Sequence, residues 1–193
     1  MPLPLESDIF HTQIINKHMK IIFALISLIL LTSCTGNNMK PTDFKDQKPR
    51  LIIEEYLSGN VKAWGILQNR SGKVTRQFSA DLNGILDGKQ LILNEKFNWN
   101  DGEIQERQWT IDRLDEHNYE GTAGDVVGKA KGYSYGPAFK FEYVLLVPVK
   151  GKEMKITFDD WIFMQDEKVA INRATMTKFG IKVAELTVMF VKD

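Results

Sequence analysis

Short turn sequences recur along the chain from Val61 onward, and they constrain its fold more than any other feature. Their spacing is that of an antiparallel meander. Two contain Asp-Gly, the strongest short-range signal for a β-hairpin, and no helical pattern of useful length separates them. The turns are Arg70-Ser71-Gly72, Asp87-Gly88, Asn100-Asp101-Gly102, Lys150-Gly151-Lys152, Asp166-Glu167 and Lys178-Phe179-Gly180. The sequence therefore predicts an all-β domain.

Hairpin geometry lets each turn predict which residues face one another across two strands. The predicted pairs form one apolar face that continues over at least seven strands. They include Trp64 with Phe78, Phe78 with Phe97, Leu93 with Trp109, Leu145 with Phe158 and Ile162 with Ile171. Closing such a sheet removes its exposed edges. We therefore predict a lipocalin-like (calycin-like) up-and-down barrel of eight to ten strands, with a half-open barrel as the near alternative.

The glycine-rich segment Gly121–Gly136 does not fit this strand pattern. It is interpreted either as one bulged strand or as a loop across the barrel mouth. Asp125 lies within it, and its sequence context suits a turn residue and a site residue equally. The path of this segment is left open by the sequence.

A row of polar residues crosses the predicted apolar face on four neighbouring strands. It consists of Tyr143, Asp160, Arg173 and Glu185. A second inward pair is formed by Glu95 and Arg107. Buried charges are costly unless they are paired and hydrogen-bonded, so the row is either a polar belt that fixes strand register or an anchor for the head group of an amphiphile. The third alternative is an incorrect register that leaves these groups in solvent.

Three aromatic residues are the further candidates for contact with a ligand in the barrel: Trp64, Trp109 and Phe97. An amphiphile bound by its head group would lay its apolar tail along such side chains. Tryptophan in a β-barrel is also typical of an ordinary core. The sequence does not choose between these roles.

Catalytic and metal sites have little support in the sequence. The part of the sequence after Cys34 has no further cysteine and a single histidine, His117, which lies in a predicted turn. The adjacent Asp159 and Asp160 would point to opposite faces of a strand and form no catalytic dyad. We therefore predict no metal and no cofactor and assign no catalytic residue, which favours a non-catalytic protein without excluding an enzyme.

The N-terminal part of the sequence resembles a bacterial lipoprotein signal. Lys20 precedes the apolar run Ile21–Leu31, which is too short to span a bilayer, and Thr32-Ser33-Cys34 follows. A leucine, two small residues and a cysteine form a lipobox, so we predict cleavage before Cys34 and lipidation of that residue. Residues 1–33 are then a signal peptide, of which 1–18 are interpreted as a misassigned translation start.

Residues 34–50 are polar and contain two prolines, which predicts a flexible lipidated tether. Residues 51–193 form a single barrel domain, led by a short amphipathic segment, Leu51–Leu57. Acidic and basic residues are equal in number, 25 of each in the whole chain. With no basic patch along the sequence, a nucleic-acid partner is not expected.

Several short blocks resemble an uncharacterised family of Gram-negative lipoproteins that is known only as a domain of unknown function. The most specific are Phe158-Asp159-Asp160-Trp161, Asn172-Arg173-Ala174, Lys178-Phe179-Gly180 and Asp125-Val126-Val127-Gly128. The resemblance covers nearly all of 51–193, with departures at Pro137 and Ala184. It implies a small lipidated envelope protein and implies no activity.

Taken together, the sequence predicts an envelope lipoprotein that binds a lipid, a fatty-acyl chain or another small amphiphile inside a β-barrel. Thr35 follows the lipidated cysteine where inner-membrane lipoproteins commonly have Asp, which favours the outer membrane, facing the periplasm. The membrane is then a partner through the N-terminal lipid, and protein partners are not predicted. A lipid-modifying enzyme that uses inward carboxylates and a non-catalytic structural envelope protein are the alternatives.

Overall fold

The computed structural model describes residues 39–149 and 151–193. Ten antiparallel strands follow one another in chain order, and the last pairs with the first. The strands are β1 Gly59–Asn69, β2 Val74–Asp87, β3 Gln90–Trp99, β4 Ile104–Arg113, β5 Asn118–Ala123, β6 Ala130–Tyr135, β7 Ala138–Val149, β8 Lys152–Met164, β9 Val169–Lys178 and β10 Ile181–Lys192. The all-β, lipocalin-like barrel is confirmed, and it is closed rather than half-open.

Apolar side chains on alternate positions of the strands fill the barrel interior. The buried set includes Leu91 and Leu93 of β3 and Phe139 and Phe141 of β7, each at most 6% exposed. The period of two along a strand sends the intervening side chains to solvent, as in the burial pattern of β2. Hydrophobic burial on a single inner face is therefore what closes the sheet.

One end of the barrel is closed by the segment that precedes β1. A single helical turn, α1 (Ile53–Tyr56), follows Leu51, and both Leu51 and Ile53 are fully buried. The carbonyl of Leu57 lies so close to Gly84 that a Cβ there would be 2.0 Å from its oxygen. Lys192 Nζ donates to three carbonyls at the end of this turn, at 2.6–2.9 Å. Residues 51–58, called the α1 plug below, are thus fixed to β2 and β10.

Residues 40–50 belong to the predicted tether; most are exposed, but Phe44 packs against the barrel. The ring of Phe44 lies 6.0 Å from that of Trp161 and 5.5 Å from that of Phe163. The backbone N–H of Leu51 donates to the carbonyl of Gly136 at 2.8 Å. The sequence composition of this segment is polar, but one well-placed phenylalanine and the neighbouring plug attach it to β8.

Three predicted registers keep the correct residues on the inner face. Glu95 faces Arg107 and Leu93 faces Trp109 as predicted. The β2–β3 and β7–β8 hairpins are each shifted by two residues, so that Phe141 rather than Tyr143 faces Asp160. A shift of two leaves every side chain on its predicted face, because the period of a strand is two.

Two other registers are wrong by a single residue, which moves side chains to the opposite face. In β1–β2, Trp64 faces Ser79 and is 46% exposed, and a bulge between Leu67 and Gln68 accompanies this pairing. In β8–β9, Asp160 faces Ala174, so the predicted Asp160–Arg173 pair does not form. There the carboxylate of Asp166 accepts hydrogen bonds from two backbone N–H groups of the turn, which lengthens the loop beyond the predicted two residues.

The segment Gly121–Gly136 contains the end of β5, all of β6 and a connecting loop, 124–129. β5 and β6 have only six residues each, and the loop runs beside β7 in place of longer strands. The N–H of Val127 donates to the carbonyl of Val144 at 2.8 Å, and the N–H of Leu146 donates to that of Asp125 at 2.9 Å. This loop, called the 124–129 loop below, forms part of the barrel wall at the end opposite α1.

Candidate ligand-binding site

A cavity of about 100 Å³ lies inside the barrel, where Ile53 and Leu57 line its α1 end and side chains of the strands line the rest. Most of its lining is apolar and aromatic, with a few polar groups on β3, β4, β7, β8 and β9. The polar lining residues are Glu95, Arg107, Tyr143, Asp160 and Asn172. An apolar pocket with a small number of convergent polar groups is the usual composition of a small-molecule site.

Asp160 is held from two neighbouring strands. The hydroxyl of Tyr143 donates to Asp160 Oδ2 at 3.0 Å, and the side-chain amide of Asn172 donates to Asp160 Oδ1. Asn172 also donates to the backbone carbonyl of Trp161 at 3.1 Å. Burial raises the pKa of Asp160 to about 6, because these hydrogen bonds only partly replace the lost hydration of the carboxylate.

Glu95 is largely buried beside Arg107, with its side chain 12% exposed, and one of its carboxylate oxygens is unsatisfied in the described part of the chain. Arg107 Nη1 lies 3.8 Å from Glu95 Oε2, beyond hydrogen-bond length. Among the described residues, Glu95 Oε2 has no hydrogen-bond partner. Burial is the largest cause that raises the pKa of Glu95 to about 7, opposed by the charge of Arg107.

The guanidinium of Arg107 is committed mainly to the 124–129 loop. Its Nη2 donates to Asp125 Oδ2 at 2.8 Å, and its Nε donates to both oxygens of Asp125, at 3.0 Å to Oδ2 and 3.2 Å to Oδ1. The side chain of Arg107 is 15% exposed and that of Asp125 31%. Two parallel hydrogen bonds between a guanidinium and a carboxylate are stronger than a single charged pair and fix geometry as well. This ion pair joins the loop to the polar groups of the cavity.

Aromatic rings surround the polar groups. The ring centroid of Trp109 lies 5.2 Å from that of Phe141 and 5.3 Å from that of Tyr143. Tyr143 also stacks on Phe158 at 5.0 Å with an interplanar angle of 10°. The cavity wall therefore offers apolar area and aromatic faces beside charged atoms.

The structure brings together six of the nine candidate ligand-binding residues. They are Tyr143, Asp160, Glu95, Arg107, Trp109 and Phe97. The interior position predicted for Arg173, Glu185 and Trp64 is wrong, as each lies on the outer wall. Arg173 Nε donates to Glu185 Oε1 at 2.5 Å, and the ammonium of Lys182 contacts the same carboxylate. The predicted lipidation site, Cys34, lies outside the described residues.

Two residues of the site were missed or left undecided. Asn172 takes the inward position that had been predicted for Arg173. A prediction with one more residue in the β8–β9 turn would have placed Asn172 there. Asp125 was ambiguous because the segment around it had no predicted path. Its role depends on a contact with Arg107, 18 residues away, which no local pattern reveals.

Among residues 39–149 and 151–193, no three side chains of the His, Cys, Asp and Glu types are grouped as a metal site requires. The same residues contain no helix that is long and apolar enough to cross a membrane. A closed barrel with an interior cavity and buried polar groups fits the binding of a small molecule.

Solved structures with the same architecture are known. The S-type phycobiliprotein lyase CPES from Guillardia theta is 9% identical to this chain, with a TM-score of 0.53 over 72% of this chain and 90% of the lyase. A DUF3598-family protein of unknown function from Nostoc punctiforme PCC 73102 is 14% identical, with a TM-score of 0.57. That match covers 76% of this chain and 51% of the Nostoc protein. At these identities the similarity concerns the fold alone.

A sequence search among curated proteins found no match. A sequence model of the family described as "Protein of unknown function (DUF3833)" matches residues 28–192, which is most of the chain. This confirms the prediction of an uncharacterised family, while its lipoprotein character stays a prediction. The chain belongs to the DUF3833 family.

Proposed function

We propose that this protein is a non-catalytic binding protein of the cell envelope that holds a small amphiphile inside its barrel. The polar end of the ligand contacts Glu95, Asp160 and Tyr143, and its apolar part lies against Trp109 and Phe141. The observation that carries the proposal is a buried cluster of charged groups around a cavity in an otherwise apolar interior. Such groups destabilise a fold unless a partner satisfies them, and Glu95 Oε2 lacks one among the described residues.

The size of the cavity limits which part of a ligand it holds. At about 100 Å³ it is smaller than the roughly 300–1,000 Å³ of pockets that enclose a whole drug-sized ligand. A complete long acyl chain does not fit without repacking of the interior. The cavity suits the polar end and a short apolar portion, with the remainder directed away from the α1 plug toward the 124–129 loop.

The loop supplies the entry route in this proposal. The opposite end is sealed by α1, whose contacts to Gly84 and Lys192 bury backbone groups. The loop is held by a few hydrogen bonds, by one apolar side chain, that of Val126, on the core, and by the Arg107–Asp125 ion pair, which is partly exposed. Segments with few buried apolar contacts open at lower free energy than core strands. Release of Asp125 would admit the ligand, and the Arg107–Asp125 pair would form again once the ligand is inside.

Envelope location rests on the sequence. The lipobox that ends at Cys34 supports lipidation, and attachment by two or more acyl chains is stable. Thr35 supports the outer membrane, with the barrel in the periplasm. Substitution Cys34→Ser tests this: the variant is expected to leave the membrane fraction. Retention of the variant in that fraction would contradict the proposal.

An enzyme acting on such an amphiphile is the second candidate, and the raised pKa values of Asp160 and Glu95 favour it. A carboxyl group with a pKa near neutral pH is suited to general acid–base catalysis, and Tyr143 is placed to donate to Asp160. The enzyme hypothesis predicts that Asp160→Asn abolishes a change in envelope lipids while the variant stays folded. If the wild-type protein retains a ligand but causes no change in envelope lipids, the binding protein is favoured over the enzyme.

Native mass spectrometry tests the binding proposal directly. Protein extracted gently from its own envelope is expected to carry an additional mass that disappears on denaturation. Asp160→Asn should reduce the occupied fraction, while the matched control Asp159→Asn should not. Asp159 neighbours Asp160 in sequence but faces outward, where it lies 3.5 Å from Lys140. Protein with no ligand mass, together with an interior that binds no amphiphile added in excess, would refute the proposal.

A further inference from the structure

We propose that the cavity selects a ligand whose polar end is an ammonium group, either a primary amine or a quaternary ammonium, over one that ends in a carboxylate. This inference rests on the proposed function and specifies the class of its ligand. It is carried by the charges around the cavity, by an unsatisfied carboxylate oxygen and by the aromatic lining.

Negative groups outnumber positive ones at the site. Three carboxylates, those of Glu95, Asp125 and Asp160, lie around one guanidinium, that of Arg107. Among the described residues that line the cavity, Arg107 is the sole basic side chain. Its two shortest contacts go to Asp125, so its charge is largely used by the loop. An additional cation would balance the remaining carboxylates.

The unsatisfied oxygen of Glu95 gives this cation a defined contact. Glu95 Oε2 is buried and has no hydrogen-bond partner among the described residues, and Arg107 Nη1 approaches it to only 3.8 Å. A protonated amine carries up to three N–H donors and would reach this oxygen directly. A carboxylate in the same place would add a like charge beside Glu95 and Asp160, which is unfavourable in a buried site.

The aromatic wall suits the same chemistry. Trp109, Phe141 and Tyr143 lie within 5.2–5.5 Å of one another, centroid to centroid, around the cavity. Cations are attracted to aromatic faces, and quaternary ammonium ligands are commonly bound in aromatic cages. The cavity of about 100 Å³ has room for a group of this size, although not for a long chain.

Three soluble probes that share a butyl chain and differ only in their polar end test the selection: butylammonium, pentanoate and butanol. Each is titrated into the full-length protein, purified from the envelope in a neutral detergent and stripped of ligand, by calorimetry and by tryptophan fluorescence. The ammonium probe is expected to bind at least about tenfold more tightly than either of the others. Glu95→Gln should reduce that preference at least about threefold, because it removes one charge and keeps the shape.

Two further variants protect the test from a folding artefact. Asp160→Asn removes the second carboxylate and should also lower the preference for ammonium, whereas the outward Asp159→Asn should leave it unchanged. If pentanoate or butanol binds as tightly as the ammonium probe, the charge selection is refuted and interior binding stands. If none of the three probes binds, this inference and the proposed function both fail.

Discussion

Replacement of Glu95 by glutamine is expected to stabilise the protein at alkaline pH, although the substitution removes a charge that lies beside Arg107. The pKa of Glu95 rises from 4.5 to about 7 in the folded protein because the carboxyl group is buried. The folded state therefore holds this proton more tightly than the unfolded state does. Glutamine has the shape of the protonated acid and carries no charge, so it avoids the cost of ionising a buried group.

The magnitude follows from the shift of the pKa. Each unit corresponds to 1.36 kcal/mol, so a rise from 4.5 to about 7 corresponds to about 3 kcal/mol. Below pH 4.5 the acid is protonated in both states and contributes little. As the pH rises from 4.5 to about 7, the free energy of unfolding of the wild type falls by up to about 3 kcal/mol, and it then levels off. The difference between Glu95→Gln and wild type should grow over the same interval.

Urea unfolding at pH 4.5 and pH 8 measures this difference. Glu95→Gln should lie within about 1 kcal/mol of wild type at pH 4.5 and be more stable by up to about 3 kcal/mol at pH 8. The control is Glu106→Gln on β4, whose side chain is 72% exposed and 3.9 Å from Lys96. It should change stability by less than about 0.5 kcal/mol at either pH. A variant that is less stable than wild type at pH 8 would show that Arg107 outweighs burial and would refute the reasoning.

Three further predictions concern the loop, the plug and the anchor. Asp125→Asn should destabilise the protein by about 1–3 kcal/mol and accelerate amide hydrogen exchange across the 124–129 loop, because Arg107 loses its bidentate partner; unchanged exchange would contradict the role of this pair. Gly84→Ala should cost at least about 1–3 kcal/mol in thermal or urea unfolding, since its Cβ would overlap the Leu57 carbonyl, whereas Gly124→Ala meets nothing within 4 Å and should be nearly neutral. Cys34→Ser should release the protein from membranes on fractionation.

The sequence predicted the barrel because turn chemistry and strand alternation are both local properties. Asp-Gly turns and apolar residues at alternate positions are visible within ten residues, and they were enough to predict an antiparallel barrel of eight to ten strands, although not the path of Gly121–Gly136. Where the predicted register of a hairpin was wrong by two residues, the interior side chains were still predicted correctly. Glu95 and Arg107 were placed correctly because the β3–β4 turn was assigned its actual length.

The predictions failed where a side chain or a distant contact decides the backbone. The carboxylate of Asp166 accepts hydrogen bonds from two backbone N–H groups, and the β8–β9 turn is one residue longer than predicted. Asn172 instead of Arg173 therefore faces the cavity. The packing of Phe44 on Trp161 depends on two residues far apart in sequence. The Arg107–Asp125 pair likewise appears only once the loop is placed beside β7. Each failure is one of long-range or side-chain geometry, which composition and period do not contain.

Glu54 and Glu95 are two acidic side chains inside one barrel that differ in their hydrogen bonding. Glu54, in α1, is 4% exposed, and it accepts hydrogen bonds from Arg113 Nη1 at 3.1 Å and from the Tyr119 hydroxyl at 3.0 Å. Glu95 Oε2 has no comparable donor among the described residues.

Glu54→Gln should therefore destabilise the protein at pH 8, by about 1–3 kcal/mol, because it weakens a satisfied buried pair. It should leave the preference for the ammonium probe unchanged. Glu95→Gln should instead raise stability at pH 8 and weaken the preference for the ammonium probe. If the two variants changed stability in the same direction, the unsatisfied oxygen of Glu95 would have no special role, and the cluster would be a polar belt that only fixes strand register.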